Sequence, residues 1–230
     1  MDTYQTEEEQ LEALKKWWQE NGRSTVFAVV LALGAGFGWQ GWKGYQEQQS
    51  VAASLRYEML MEAIRESSRS GDTTTLKTLA DELKSDYAGS GYADFAALHL
   101  ARVAVQENDL AAAEEQLRWV LTRNPSAELR LLTELRLARV TSAQGDAREA
   151  LNILQAAEPG AYAAAFAEAE GDAWLLLDDS VQAIAAYERA VGLAAASDAG
   201  ASEALRLKLE ALTPLPAREL VAAADAEDAP

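Results

Sequence analysis

Hydrophobic and polar positions follow two regimes along this chain. From Thr25 to Trp42, TVFAVVLALGAGFGWQGW, no residue carries a charge. From Ser50 onward, small or apolar residues recur at every third or fourth position in helix-length runs separated by short polar breaks. The first pattern predicts a membrane-spanning helix and the second a succession of amphipathic helices. Val and Ile are sparse in the later region, where Ala, Leu, Glu, Gln and Arg dominate, so the fold class expected is all-α.

The uncharged stretch would reach about 27 Å as a helix, close to the hydrocarbon thickness of a bilayer. Trp17 and Trp18 stand before it, and Trp39 and Trp42 at its end, where aromatic rings favour the membrane interface. Gly34, Gly36, Gly38 and Gly41 weaken a helix in water, but lipid offers no competitor for the backbone hydrogen bonds. Gly34 and Gly38 have GxxxG spacing, which lets a partner helix approach closely; tuning the bend or thickness match of a lone span is the plainer use. A cleaved signal peptide and a buried core helix compete with the anchor. The first is disfavoured by the long Glu-rich segment before the apolar run, the second is kept open by Gln40. Lys15, Lys16 and Arg23 precede the span, and Lys43 and Arg56 follow it. That bias favours a cytoplasmic amino terminus.

Before the span, residues 5 to 21 place Leu11, Leu14, Trp17 and Trp18 at helical spacing, with Glu residues early and Lys15 and Lys16 late. That charge order suits a helix dipole. It predicts a short helix against the cytoplasmic membrane face or a docking peptide for a cytoplasmic partner, ended by Asn21 and Gly22.

Beyond Ser50 the breaks share a form: Gly71-Asp72, Asn108-Asp109, Gly145-Asp146 and Asp178-Asp179. Their second acids are 37, 37 and 33 residues apart, which marks an internal repeat. After the last three breaks an alanine follows at an offset of four (Ala113, Ala150, Ala183). A larger residue comes four further on (Leu117, Leu154, Tyr187), and Val120, Ala157 and Ala190 lie seven beyond the alanine. Small residues let one helix lie close to its neighbour while the larger one fills the groove. Two helices in about 34 residues, joined by a Gly-Asp turn, resemble the tetratricopeptide repeat. Leu100-Ala101, Leu137-Ala138, Gly171 with Trp174, and Asn124-Pro125 also match, whereas the early tryptophan is missing. The first unit departs most, with Leu76 where the small residue belongs. The helix SEALRLKLEAL, Ser202 to Leu212, is expected to cap the array.

Expected boundaries are therefore 1–23 for a cytoplasmic amphipathic segment, 24–42 for the transmembrane helix, 43–212 for the repeat domain and 213–230 for a disordered acidic tail. This layout resembles the YfgM family, the ancillary subunit of the bacterial SecYEG translocon. The resemblance is carried by LKKWWQENG, the glycine-bearing span, the degenerate repeats, EAEGDAWLLLDDSVQAIAAYERA and LRLKLEAL. It implies a single-pass inner-membrane protein with a periplasmic repeat domain, associated with the translocon and with the membrane-anchored chaperone PpiD. It also implies that exported client polypeptides are helped toward periplasmic folding factors. A repeat scaffold for envelope assembly or cell division unrelated to export is the alternative.

Charge and chemistry narrow the picture further. The chain has 37 acidic and 20 basic residues, a net charge of -17, which repels phosphate backbones, so no nucleic-acid partner is expected. Cysteine is absent, which removes disulfides, zinc ribbons and thiol nucleophiles. His99 is the single histidine and makes neither a typical zinc site nor a triad; a packing or polar-edge role is expected for it. Asp178-Asp179 reads as a turn and helix cap, not a metal pair. GAGFGWQG lies within the span without a preceding strand, so it is no phosphate loop. Neither an enzyme nor a cofactor is expected. Binding is the better prospect. Matching the turns of successive first helices sets Phe95, Leu98 and Arg102 opposite Leu132, Leu135 and Arg139. Arg65, Arg102 and Arg139 recur every 37 residues. Such a row beside aliphatic positions can hold carboxylates or carbonyls of an extended peptide; pairing with Glu on neighbouring helices is the alternative.

Overall fold

The computed structural model describes residues 7–197 and 200–212, all helical apart from short connections. The acidic tail expected at 213–230 lies outside the described residues. The chain divides into two units, residues 1–55 and 56–230.

Helix α1 (Glu7–Ser70) supplies the described part of the first unit. It is long and apolar enough to cross a membrane. Its large apolar side chains from Leu11 to Tyr45 are all exposed, from 47% at Trp17 to 74% at Phe37. The stop expected at Asn21-Gly22 does not occur, because the polar side chains bond back onto the helix. Asn21 Nδ2 donates to the Trp17 carbonyl at 3.3 Å, and the hydroxyls of Ser24 and Thr25 each donate to the Asn21 carbonyl at 3.0 Å. Such local bonds complement the ladder without competing for its amides. The Trp18 ring lies over Gly22, 3.3 Å from where a Cβ would project. Gly22 thus makes room for an indole and keeps a helical backbone.

The second unit begins with the last turns of α1 and continues through α2 (Thr74–Asp86), α3 (Gly91–Gln106), α4 (Leu110–Thr122), α5 (Ala127–Ala143), α6 (Ala147–Ala156), α7 (Ala163–Leu176), α8 (Ser180–Ala196) and α9 (Glu203–Leu212). A single 3-10 turn, Gly160–Tyr162, precedes α7. Helices α3/α4, α5/α6 and α7/α8 form successive antiparallel pairs whose connections use one local mechanism. Asn108, Gly145 and Asp178 adopt left-handed backbone, with φ of 61°, 94° and 59°. The following amides, of Asp109, Asp146 and Asp179, donate five residues back to Ala104, Thr141 and Trp174. The acids then cap the next helix: Asp109 accepts from the amide of Ala112 at 3.0 Å, Asp146 from Glu149 at 3.3 Å and Asp179 from Gln182 at 3.1 Å. One dipeptide thereby closes one helix and opens the next. The first break differs: Asp72 accepts from Thr74 at 2.9 Å, and Thr73 takes the N-cap position.

The residues picked out by the repeat offsets are core except Ala157, which ends α6 as its half-buried, extended C-cap. Ala113, Ala150 and Ala183 are fully buried, and Leu117, Leu154 and Tyr187 nearly or wholly so. Each layer uses the first helix of the following pair. Leu137 and Val140 of α5 pack onto α3 and α4, and Phe166, Ala169 and Ala173 of α7 onto α5 and α6. Leu205 of α9 closes the last layer against Ala167, Ala183, Tyr187 and Ala190. In the first pair, Leu76 is buried at the alanine position and borders a 320 Å³ cavity with Ile64, His99 and Val103.

Candidate functional site: a groove between successive repeats

Buried Leu98, Leu117 and Val140 are core side chains that also reach a groove of about 530 Å³ between α3 and α5. Its length follows the helical period. Phe95, Leu98, Arg102 and Val105 line it along α3, and Leu129, Leu132, Arg136, Arg139 and Ala143 along α5, with Leu110 and Leu117 from α4. Spacings of three and four residues aim these side chains into one stripe per helix. No Asp or Glu lines the groove.

Arg102, Arg136 and Arg139 form no ion pair among the described residues, although six other arginines do. Burial, then the charges of Arg139 and Arg102, lowers the Arg136 guanidinium from its ordinary value. His99, half-buried on the α3 wall, is held down by desolvation and then by Arg102 and Arg136, so it is neutral at pH 7. The expected packing role for His99 has a definite form: its ring lies 6.5 Å from Tyr57, which also neighbours Tyr92 at 5.1 Å and Phe95 at 6.1 Å.

Five of the residues aligned by sequence meet in this groove: Phe95, Leu98, Arg102, Leu132 and Arg139. Leu135 does not. It is buried with Ala138, Leu151 and Phe166 in the layer between α5 and α7. Leu98 and Leu135 serve successive layers, Leu98 packing with α4 and α5 and Leu135 with α6 and α7. Arg65 is also apart; its guanidinium pairs with Glu62 on its own helix and is 64% exposed. Arg136, which sequence reasoning missed, completes the arginine set. Its spacing of three from Arg139 and four from Leu132 is the signal that identifies it. Gly34 and Gly38 carry open helix surface, with nothing within 4 Å of an added Cβ.

A family model described as a tetratricopeptide repeat-like domain matches residues 15–214. An ancillary SecYEG translocon subunit of Haemophilus influenzae is 31% identical over 184 residues, covering 80% of this chain and 88% of that relative. The chain belongs to this family. The relative of the same name from Escherichia coli is 30% identical over 93% of this chain and all of its own length. That from Neisseria gonorrhoeae is 24% identical over 92% and 100%, respectively. No solved structure matches the chain. The groove therefore lies in the repeat-like domain of a translocon-subunit family, downstream of a helix apolar enough to span a bilayer.

Proposed function

We propose that this protein is a scaffold accessory to the SecYEG translocon, anchored in the bacterial inner membrane by one span. In this reading residues 1–23 are cytoplasmic, 24–42 cross the bilayer and 43–212 are periplasmic. The repeat domain binds a PpiD-like membrane-anchored chaperone and helps pass exported polypeptides to periplasmic folding factors. It does so by presenting surface, without catalysis or a cofactor.

The observation that carries the reading is the joining, in one chain of this family, of an exposed apolar segment to a stacked domain with a cationic, apolar groove. The exposed side chains between Leu11 and Tyr45 call for lipid, since each square ångström of apolar surface left in water forgoes about 25 cal/mol. Tethering then raises the effective concentration of the domain for other proteins of the same membrane. Gly34 and Gly38, four residues apart with open space around them, leave room for a partner helix to approach closely.

Extraction in mild detergent, with a photo-crosslinker at Phe37, tests this reading. Translocon subunits and a membrane-anchored chaperone should be recovered, and protease should reach the repeat domain only after the outer membrane is opened. Recovery of cell-wall or outer-membrane assembly proteins alone would favour an envelope-assembly scaffold and overturn it.

A further inference from the structure

The arginines of the α3–α5 groove stand together in one cleft that no Asp or Glu lines. With 37 acidic residues available, Arg56, Arg65, Arg69, Arg118, Arg123 and Arg189 all find carboxylates. Arg102, Arg136 and Arg139 do not, and they crowd one another along a wall that carries no acid. All three are exposed, and like charges gathered along one cleft repel, an arrangement that an anion from outside would relieve.

The apolar side chains say what kind of anion. Phe95 and Leu98 precede Arg102 on α3, and Val105 follows it. Leu129 and Leu132 precede Arg136 on α5, and Ala143 follows Arg139. The cationic level therefore has apolar side chains on both sides. Phe95 and Val105 remain 43% and 45% exposed, leaving surface for a ligand to cover. A lipid, with charge at one end and hydrocarbon at the other, matches only half of this pattern. A nucleic acid matches neither the apolar ends nor the acidic surroundings.

We propose that the groove binds a peptide segment of another polypeptide in which consecutive acidic residues are flanked on both sides by aliphatic or aromatic ones. From Phe95 to Val105 the α3 wall extends about 15 Å, which an extended chain covers in about five residues. The volume of about 530 Å³ lies within the roughly 300–1,000 Å³ of ordinary ligand clefts. Guanidinium forks take the carboxylates in pairs, while the flanking side chains reach Leu98 and Leu132 at one end and Val105 and Ala143 at the other. This rests on the repeat domain acting as the partner-binding part of the scaffold.

The test uses the full chain in detergent and two end-blocked, fluorescein-labelled peptides, Leu-Asp-Glu-Asp-Leu and its uncharged counterpart Leu-Asn-Gln-Asn-Leu, read by fluorescence anisotropy. The acidic peptide should bind at least tenfold more tightly, and weaken as salt is raised. Arg136→Glu and Arg139→Glu, together with the milder Arg136→Gln and Arg139→Gln, should each reduce binding about tenfold at unchanged helical circular dichroism. Arg65→Glu, with the same change in net charge, should leave it intact. Equal binding of both peptides, or retention by all four groove variants, would overturn the proposal. So would displacement of the peptide by phosphatidylglycerol vesicles that themselves depend on the same arginines. Failure of peptide binding while translocon subunits still co-purify would remove this inference alone; loss of co-purification with peptide binding intact would remove the scaffold reading alone.

Discussion

Two glycine-to-alanine substitutions, both inside helices, should move stability in opposite directions. On α7, a Cβ at Gly171 would stand 2.4 Å and 2.5 Å from two ring carbons of Tyr187. The ring cannot step aside freely. Tyr187 is fully buried and its hydroxyl donates to Asp172 Oδ1 at 2.7 Å, while Lys208 of α9 donates to the same carboxylate at 2.7 Å and 2.9 Å. Overpacking costs about 1–3 kcal/mol, and a lost buried hydrogen bond adds about 1 kcal/mol. Against this, alanine is favoured over glycine in a helix by about 1 kcal/mol. Gly171→Ala should therefore destabilise by about 2 kcal/mol, lowering Tm by about 4–8 °C for a chain of this size. Gly192 on α8 is exposed, with nothing within 4 Å of an added Cβ, so Gly192→Ala keeps only the helix-propensity gain. Urea and thermal unfolding of the full chain in detergent, followed at 222 nm, measure both. If Gly171→Ala were as stable as Gly192→Ala, the close approach of α7 to the Tyr187 ring would be refuted.

At the turns, Gly145→Ala should cost about 1 kcal/mol because φ is 94°, whereas Asp178→Gly, at φ 59°, should be neutral or stabilising by thermal melting. Asp109→Ala should lose about 1 kcal/mol through the missing cap to Ala112, while Asp109→Asn should retain most of it, as judged by urea midpoints. The α9 latch should fail in alkali. Burial pulls the Lys208 ammonium down, but Asp172 and Glu168 outweigh it and hold it above the usual lysine value. Desolvation and then Asp172 and Glu168 raise the Tyr187 phenol well above its ordinary range. Both groups have folded values above their unfolded ones, so their stabilisation is complete below about pH 10 and is lost as pH rises through the folded values. Tyrosine absorbance at 295 nm should show Tyr187 titrating last, after Tyr57, which burial and then Tyr92 also raise, and Lys208→Met should release α9 to protease without waiting for alkali.

Local order determined much of this protein in advance. An uncharged run of one bilayer's length needs no tertiary partner to be recognised at Thr25–Trp42. The paired turn residues and the alanine offsets act within a single connection or helix face, so Asp109, Asp146, Asp179 and the buried Ala113, Ala150 and Ala183 follow from spacing alone. The same local reasoning went astray at Asn21-Gly22, where side chains that could have capped a helix bond back along it. What only tertiary structure decided is which faces meet. Periodicity says that Leu135 is buried, but the rotation of α5 turns it toward α7 and leaves Leu132 to face α3. It likewise brings Arg136, not Arg65, beside Arg102 and Arg139, and sets Lys208 against Asp172, 36 residues earlier. Periodicity within a helix says nothing about the rotation between helices, and that rotation selects the neighbours.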